Sequence, residues 1–398
     1  MKAREAASIR ELRDLAHRRL PKPVFELLDS GAGDGSGLKR NVDAFKRHRL
    51  MPRVLTETIE PNQSTLLFGR RFSSPFGISA TGMAGLFWPN ADLLLAEAAA
   101  AANIPFMLST CSTDSIADVA RIAPDHVWFQ LYPAREHAVS AAMIARAREA
   151  GVSVLVVTVD WPIQPRFETP SIARRPSALS SLIDGIRHPG WTWRYFRHGG
   201  TPRFANWAPF APAGSGPAQI LRYAATQWPC HQTWKDVAQI RDLWPGKLVL
   251  KGIAHPDDAR LARKIGVDGV VVSNHGGKAH ASFPATLEIL PAVKSAVGDT
   301  MAVMMDGGIE QGADIAVSRC LGADMAFFGR LTLYGAAAGG REGIKRVIDL
   351  LRQDIATLQS QLGCASYDQL KQDFLFDPSR DSRESGTQDS RVRRESLI

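Results

Sequence analysis

The chain has 398 residues, of which 45% are hydrophobic and 22% are charged, and its formal net charge is +8. This composition is typical of a soluble globular protein and leaves room for one large barrel or two medium domains. The four cysteines are far apart and include no Cys-x-x-Cys pair, which argues against a disulfide framework or a metal site and favours a reducing compartment. No apolar run approaches the ~18 residues of a membrane span, and the charged first residues hold no signal-peptide core, so we expect neither secretion nor a transmembrane segment.

Residues 1–71 are predicted to form an N-terminal cap that is helical near its start and has a glycine-rich turn over 31–37. From residue 76 onward, short apolar runs alternate with alanine-rich segments of helical period, which is typical of a parallel sheet covered by helices. The predicted strands are 76–80, 105–110, 127–132, 154–160, 248–252, 269–274, 301–307 and 325–330. The clearest helices are 91–103, 136–150, 234–243, 256–265, 287–297 and 312–321. Eight strand–helix units predict an α/β fold, a closed (β/α)8 TIM barrel over 72–161 and 232–365.

Residues 162–231 interrupt the repeat after the fourth predicted strand and are too long for an ordinary connection. Between Arg166 and Arg203 this insert holds seven arginines against two acidic residues, interleaved with Trp, Tyr and Phe. Such a pattern suits an anionic membrane surface, and it equally suits a solvated loop or a lid over a substrate. Because the charge is confined to one segment and no recognition module is evident, we expect no nucleic-acid partner.

The last segment, 377–398, mixes acidic and basic residues with few bulky apolar ones and is predicted to be disordered. Residues 1–375 are therefore interpreted as a single domain, made of the cap, the barrel and the insert.

Functional residues of a parallel barrel lie where its strands end, so the last residues of each predicted strand can be collected as one candidate site. The most informative stretch is the apolar run that ends in His275, Gly276 and Gly277, because a base would be placed there. The other candidates at strand ends are Thr81, Ser109, Gln130, Tyr132, Thr158, Asp160, Lys251, Lys278, Asp306 and Arg330.

The loops after the last two predicted strands indicate a phosphorylated cofactor. They carry Asp306-Gly307-Gly308 and Gly329-Arg330, whose bare backbone amides and arginine suit a phosphate group. Lys251 could stabilise negative charge that develops on an electron-accepting heterocycle. Because the chain has no Gly-x-Gly-x-x-Gly fingerprint, a flavin is favoured over a nicotinamide.

From Leu20 to about Cys364 the chain resembles the FMN-dependent 2-hydroxy-acid dehydrogenase and oxidase family. The family's most specific motif, Ser-Asn-His-Gly-Gly/Ala-Arg-Gln, is present as the run from Ser273 to Ala279. Supporting matches are Gln130-Leu131-Tyr132, Thr158-Val159-Asp160, Lys251-Gly252, Asp306-Gly307-Gly308 and Gly329-Arg330. The resemblance implies that a 2-hydroxy acid is oxidised with FMN as the cofactor.

The resemblance also implies roles for individual residues. His275 would be the base, Asp160 would hold its imidazolium, and Tyr132 would hydrogen-bond the substrate oxygen. FMN would be held by Thr81, Ser109, Gln130, Thr158, Lys251, Ser273, Asp306, Gly307, Gly308, Gly329 and Arg330. A homo-oligomer is implied as well, located in the cytoplasm or peripherally on the inner membrane through residues 166–210.

Departures from the family pattern all concern the substrate carboxylate. The family's arginine, a bidentate clamp, is replaced by Lys278, which offers a point charge. Leu27 stands in place of a carboxylate-binding tyrosine, and Phe167 in place of an arginine for which neighbouring Arg166 could substitute with a different reach. Cys111 stands where glycolate oxidase has a tryptophan. These changes predict a more apolar and roomier pocket for a bulkier hydroxy acid; an amine, a peptide-derived substrate and a non-catalytic FMN-binding barrel stay open as alternatives.

Overall fold

Three helices and a short hairpin precede the barrel in the computed structural model, which describes residues 2–56, 61–170 and 178–377. The helices are α1 Ile9–Arg19, α2 Lys22–Asp29 and α3 Ser36–Lys46. The hairpin pairs β1 Thr65–Leu67 with antiparallel β2 Arg70–Phe72 and was not predicted from the sequence. Its side chains Leu67 and Phe72 join the apolar cluster inside the barrel, with Phe68 packed against it, so the hairpin closes the end of the barrel opposite the site.

Eight parallel strands close into a barrel, because the last strand pairs with both the seventh and the first. Each observed strand overlaps a predicted one, and the predicted (β/α)8 fold is confirmed. All but the longest of these strands are almost entirely buried, as expected where both faces of a parallel sheet are covered. The strands are β3 Phe76–Ile78, β4 Phe106–Ser109, β5 Val127–Leu131, β6 Val154–Thr158, β7 Lys247–Ile253, β8 Gly269–Val272, β9 Ala302–Asp306 and β10 Met325–Phe328.

Helices surround the barrel, and the six that were predicted are all present. Sequence reasoning missed the two-turn α6 Ile116–Ile122 and the two helices after the last strand, α15 Arg330–Gly339 and α16 Arg341–Leu362. The other helices around the barrel are α4 Ala84–Phe87, α5 Ala91–Ala101, α7 His137–Glu149, α11 Trp234–Leu243, α12 Pro256–Lys264, α13 Thr286–Val297 and α14 Gly312–Cys320.

The described part of the insert contributes three helices, α8 Ala178–Arg187, α9 Pro189–Arg197 and α10 Pro217–Gln227. Helix α9 is attached to α4, because the Trp191 indole donates to the Leu86 carbonyl (3.2 Å) and the Tyr195 hydroxyl donates to the Gly85 carbonyl. The insert therefore lies beside the loop that follows the first barrel strand, close to the site. Within the insert, Arg174 and Arg175 lie outside the described residues. So does almost all of the segment predicted to be disordered, from residue 378 onward.

Side chains alternate along each barrel strand between two separate apolar clusters. On β5, Val127, Phe129 and Leu131 face the surrounding helices, whereas Trp128 lies in the barrel interior. Beyond this interior layer, the inward positions toward the C-terminal ends of the strands change from apolar to polar. The period of two that defines a strand thus delivers one polar side chain from each of several strands to the same level of the barrel.

Candidate active site

A ring of buried polar side chains lies directly above the apolar interior of the barrel. Neighbouring strands connect it by hydrogen bonds: the Ser109 hydroxyl donates to Gln130 Oε1 (3.1 Å), and Gln130 Nε2 donates to Thr158 Oγ1 (2.8 Å). Lys251 Nζ donates to Ser273 Oγ (2.9 Å). All of these side chains were predicted as site residues, and the structure brings them together.

Lys251 is nearly enclosed and forms an ion pair with Asp306, with 3.1 Å between Nζ and Oδ2. Ser79 also donates to this carboxylate (2.8 Å). Burial would lower the pKa of Lys251, but Asp306 and Asp160 outweigh it and raise the pKa above its ordinary value. Lys251 therefore keeps its positive charge at neutral pH, next to the Asp306 carboxylate.

His275 lies between a carboxylate and a phenol. Its Nδ1 is 3.1 Å and 3.3 Å from the two carboxylate oxygens of Asp160, and its Nε2 is 2.9 Å from the Tyr132 hydroxyl. The carboxylate can only accept, so geometry assigns the proton of neutral His275 to Nδ1 and leaves the lone pair of Nε2 on the Tyr132 side.

Burial lowers the pKa of His275, although the Asp160 carboxylate opposes the shift. For Asp160, burial acts to raise the pKa, but the electrostatic interaction and hydrogen bond with His275, together with the Lys251 ammonium, outweigh it and the pKa falls below its ordinary value. The imidazole is thus neutral and able to accept a proton near pH 7, and a carboxylate is ready to stabilise the cation that results. Burial raises the pKa of Tyr132 well above its ordinary value, so this phenol keeps its proton.

Aromatic side chains form one wall of the site and were not found from the sequence. The Trp161 ring lies 4.2 Å from the His275 ring, and the Trp228 ring lies 4.2 Å from the Tyr132 ring, between centroids. The only available signal for Trp161 was its position immediately after Asp160, and Trp228 comes from the end of the insert. The adjoining cavity, about 2010 Å³, is also lined by Met83, Phe87, Cys111, Phe167, Phe204, Leu221 and Ala224.

Lys278 lines the same cavity and donates to the backbone carbonyl of Leu27 (2.7 Å). Among the described residues it forms no ion pair, because the nearby Asp29 carboxylate is held by Arg13 at 2.7 Å and 2.6 Å and by the Tyr334 hydroxyl. Burial, together with the neighbouring Arg330, lowers the pKa of Lys278 to about 7. The charge of Lys278 is therefore lost as pH rises through the neutral range.

The other predicted substrate cation, Arg166, is exposed and is absent from the cavity lining, where Phe167 is found instead. Contact between Arg166 and a substrate stays a prediction.

The glycine loops after β9 and β10 also border the cavity. Gly307 and Gly308 both have left-handed backbone conformations, with φ of 98° and 85°. Arg330 uses three of its N–H groups on the carbonyls of Leu28, Ser30 and Gly276, so it ties the N-terminal cap to the barrel. Two N–H groups of its guanidinium remain for other partners.

Two buried oxygens in this region, Thr81 Oγ1 and Asp306 Oδ1, have no hydrogen-bond partner within the described part of the chain. Buried polar atoms without partners are rare and are expected where a bound group completes the hydrogen bonding. Together with the cationic Lys251 and the two glycines that border the cavity, they fit a flat, polar, phosphorylated cofactor.

Comparison with known proteins identifies the family. The family model described as FMN-dependent dehydrogenase matches residues 16–377. The chain belongs to the FMN-dependent dehydrogenases. It is 33% identical to an L-lactate dehydrogenase of Caulobacter sp. (strain K31) over 94% of this chain and 99% of that protein. It is 35% identical to the (S)-mandelate dehydrogenase of Pseudomonas putida over 92% of this chain and 93% of that protein.

A crystal structure of the monotopic membrane protein (S)-mandelate dehydrogenase superimposes with a TM-score of 0.89 at 34% identity, covering 94% of this chain and 99% of that one. The family resemblance and the FMN dependence that it implied are thereby confirmed. This protein is an FMN-dependent oxidoreductase, and the polar ring and the glycine loops are the part of the barrel whose chemistry fits FMN.

Proposed function

We propose that this protein oxidises a 2-hydroxy acid with a bulky apolar side chain to the corresponding 2-oxo acid, and that His275 is the base. The observation that carries the proposal is the line of contacts from Asp160 through His275 to Tyr132, which ends at a cavity next to the polar ring. The similarity to enzymes named for lactate and mandelate supports a 2-hydroxy acid as the substrate.

FMN would be held by the polar ring and the phosphate-type loops. Ser109, Gln130, Thr158 and Ser273 offer side-chain hydrogen bonds to the ring system, and Lys251 offers positive charge. The loops offer Thr81, Asp306, Gly307, Gly308, Gly329 and Arg330. Bound FMN supplies an electron-accepting ring, where a lysine that keeps its charge favours added negative charge.

Side chains of the protein carry out proton transfer, substrate binding and exclusion of water. Neutral His275 accepts the proton of the substrate hydroxyl at Nε2, and the Asp160 carboxylate stabilises the imidazolium so formed. The Tyr132 hydroxyl hydrogen-bonds the same substrate oxygen. Lys278 attracts the substrate carboxylate as a point charge. The aromatic wall of Trp161 and Trp228 excludes water from the reacting groups.

A bulky side chain is favoured over the methyl group of lactate because of what lines the cavity. Phe167, Phe204 and Leu221 supply apolar surface, and buried Cys111 is a small residue that leaves space. Burial of an apolar substrate group against such surface contributes roughly 25 cal/mol for each Å² removed from water. An aromatic or long aliphatic 2-hydroxy acid would therefore bind more tightly than lactate.

The test replaces His275 with alanine and uses His280→Ala as the matched control, because His280 is an exposed histidine five residues further along the same loop. We expect the His275→Ala protein to remain yellow and to be reduced by substrate at least roughly a hundredfold more slowly. The His280→Ala protein should react like the native enzyme. Undiminished reduction in the His275 variant would contradict the assigned role.

We also propose that the insert contacts an anionic membrane surface, which would place the protein peripherally on the cytoplasmic side. Trp193 and Phe196 on α9 are 64% and 75% exposed, Ile186 on α8 is 70% exposed, and arginines flank them. Aromatic and basic side chains on one helical segment are the pattern of an interfacial anchor. No described helix is long and apolar enough to span a bilayer. The similar (S)-mandelate dehydrogenase is a monotopic membrane protein, which agrees with this proposal.

Assembly into a homo-oligomer stays a prediction.

A further inference from the structure

The loop that carries His275 has an unusual backbone. His275, Gly276 and Gly277 all adopt left-handed conformations, with φ of 60°, 61° and 79°. A histidine reaches this region only when surrounding contacts enforce it, since non-glycine residues rarely adopt it. The direction of the His275 imidazole therefore depends on whatever holds this loop.

Hydrogen bonds hold the loop on both sides of His275. On the N-terminal side, the His275 amide donates to Ser273 Oγ (3.1 Å), which in turn is bound by Lys251. On the C-terminal side, the Gly277 amide donates to the side-chain oxygen of Asn274 (3.0 Å). The Asn274 carboxamide must keep this orientation for the turn to persist.

Asn41, on helix α3 of the N-terminal cap, is paired with this carboxamide. Asn41 Nδ2 donates to Asn274 Oδ1 and Asn274 Nδ2 donates to Asn41 Oδ1, both at 2.8 Å, so the two carboxamides form a closed pair. Both side chains are buried, with exposed fractions of 0% and 3%. If Asn274 turned over, it would present a donor to the Gly277 amide, which is itself a donor. Asn274 Nδ2 also donates to the Pro284 carbonyl (3.0 Å), and the Thr286 amide donates to Asn41 Oδ1 (3.4 Å), so both members of the pair are held in one orientation.

The same residue touches the loop after β9. A Cβ atom on Gly308 would lie 2.5 Å from the Asn41 carbonyl oxygen, and one on Gly307 would lie 3.1 Å from Asn41 Nδ2. Helix α3 thus approaches the histidine loop and the glycine loop at contact distance, and Asn41 is in contact with both.

We propose that Asn41 is a positioning residue for catalysis: through its amide pair with Asn274 it fixes the left-handed conformation of His275 and so the direction of Nε2. This inference rests on the proposed role of His275 as base. The N-terminal cap then helps to position the catalytic base, although Asn41 contacts neither His275 nor the aromatic wall.

The decisive substitution is Asn41→Asp, which keeps the size of the side chain but, as a carboxylate, removes its donor. The matched control is Gln359→Glu, since Gln359 is equally buried and its amide donates to the Asn62 carbonyl (3.3 Å), away from the site. Both variants place an acid where an amide was, so both are expected to lower the unfolding temperature. Only the Asn41 variant should change the chemistry.

The measurement is the rate of flavin reduction at saturating substrate, together with substrate affinity and the FMN content of each protein. We expect Asn41→Asp to retain FMN and to bind substrate within about twofold of the native affinity, while its reduction rate at pH 8 falls at least roughly tenfold. When protonated, the introduced acid can donate to Asn274 again, so the deficit relative to the native enzyme should narrow toward acidic pH. Should Asn41→Asp fail to fold or lose FMN, Asn41→Ala removes the pair without adding a charge and carries the same expectation for the rate.

The His275→Ala protein is measured alongside, which separates two kinds of failure. If His275→Ala is inactive and Asn41→Asp behaves like Gln359→Glu, the proposed function stands and the positioning role is wrong. If His275→Ala reduces its flavin at the native rate, the proposed function itself is overturned, and the role of Asn41 falls with it.

Discussion

Replacing Lys278 with arginine should change how the reaction depends on pH. Burial and the neighbouring Arg330 lower the pKa of Lys278 to about 7. For an amine, the charged form is lost as pH rises through the pKa, so attraction of the substrate carboxylate weakens above pH 7. Well above this pKa the charged fraction falls about tenfold for each pH unit, which weakens binding of the carboxylate by roughly 1.4 kcal/mol per unit. An arginine keeps its charge throughout this range.

The assay is kcat/KM for a 2-hydroxy acid between pH 6 and pH 10, because this quantity reports the ionisation of the free enzyme. For the native enzyme, kcat/KM should fall about tenfold for each pH unit above pH 7, whereas kcat/KM of Lys278→Arg should stay constant over this range. The control is Lys264→Arg, at an exposed lysine of α12, which should reproduce the native profile. A native profile that stays flat from pH 7 to pH 9, or a Lys278→Arg profile that keeps the slope, would show that the charge of Lys278 does not determine this pH dependence.

Two further predictions concern the insert and the buried acid Asp92. Replacing both Trp193 and Phe196 with serine should release the protein from vesicles of anionic lipid, while flavin reduction in solution stays unchanged. The control is Phe283→Ser, at another exposed aromatic residue. If the native protein, the double variant and the control all sediment equally with the vesicles, the insert is not the anchor. Asp92 is fully buried, one of its oxygens has no partner among the described residues, and burial together with Asp114 raises its pKa to about 7. Because the folded protein holds this proton more tightly than the unfolded chain, Asp92 costs stability as pH rises from about 4 to about 7, by roughly 4 kcal/mol in total. Asp92→Asn should therefore unfold at a higher temperature than the native protein at pH 8 and at nearly the same temperature at pH 4; a difference independent of pH would contradict this.

The barrel and its polar ring could be predicted because both follow from a local pattern. A buried strand that ends in a polar residue is visible in the sequence, and in a barrel all such ends meet at one face. Gln130, Thr158, Lys251 and Asp306 are all identified by this pattern. Helix α6 escaped prediction because it is short, whereas α16 carries a clear apolar stripe that could have been recognised.

Contacts between distant segments could not be predicted. Asn41 and Asn274 are 233 positions apart, and nothing in the sequence around Asn41 distinguishes it from other asparagines on helices. Trp228 reaches Tyr132 only because the insert folds back over the barrel. Arg330 was assigned to phosphate from its flanking glycine, and its two bonds to the cap and one bond to the Gly276 carbonyl became visible only in three dimensions. Local pattern thus indicates which residues reach the site, but not which distant residues hold them in place.

We propose that this barrel oxidises a 2-hydroxy acid with a bulky apolar side chain. The claim can be tested by the visible absorbance of the FMN-loaded protein, recorded without oxygen before and after addition of (S)-mandelate, of a long aliphatic 2-hydroxy acid and of lactate. We expect the flavin band to bleach with the first two at lower concentrations than with lactate, and His275→Ala to keep its band. A flavin that stays oxidised with every 2-hydroxy acid would contradict the claim, and bleaching by an amine instead would assign the site to a different substrate class.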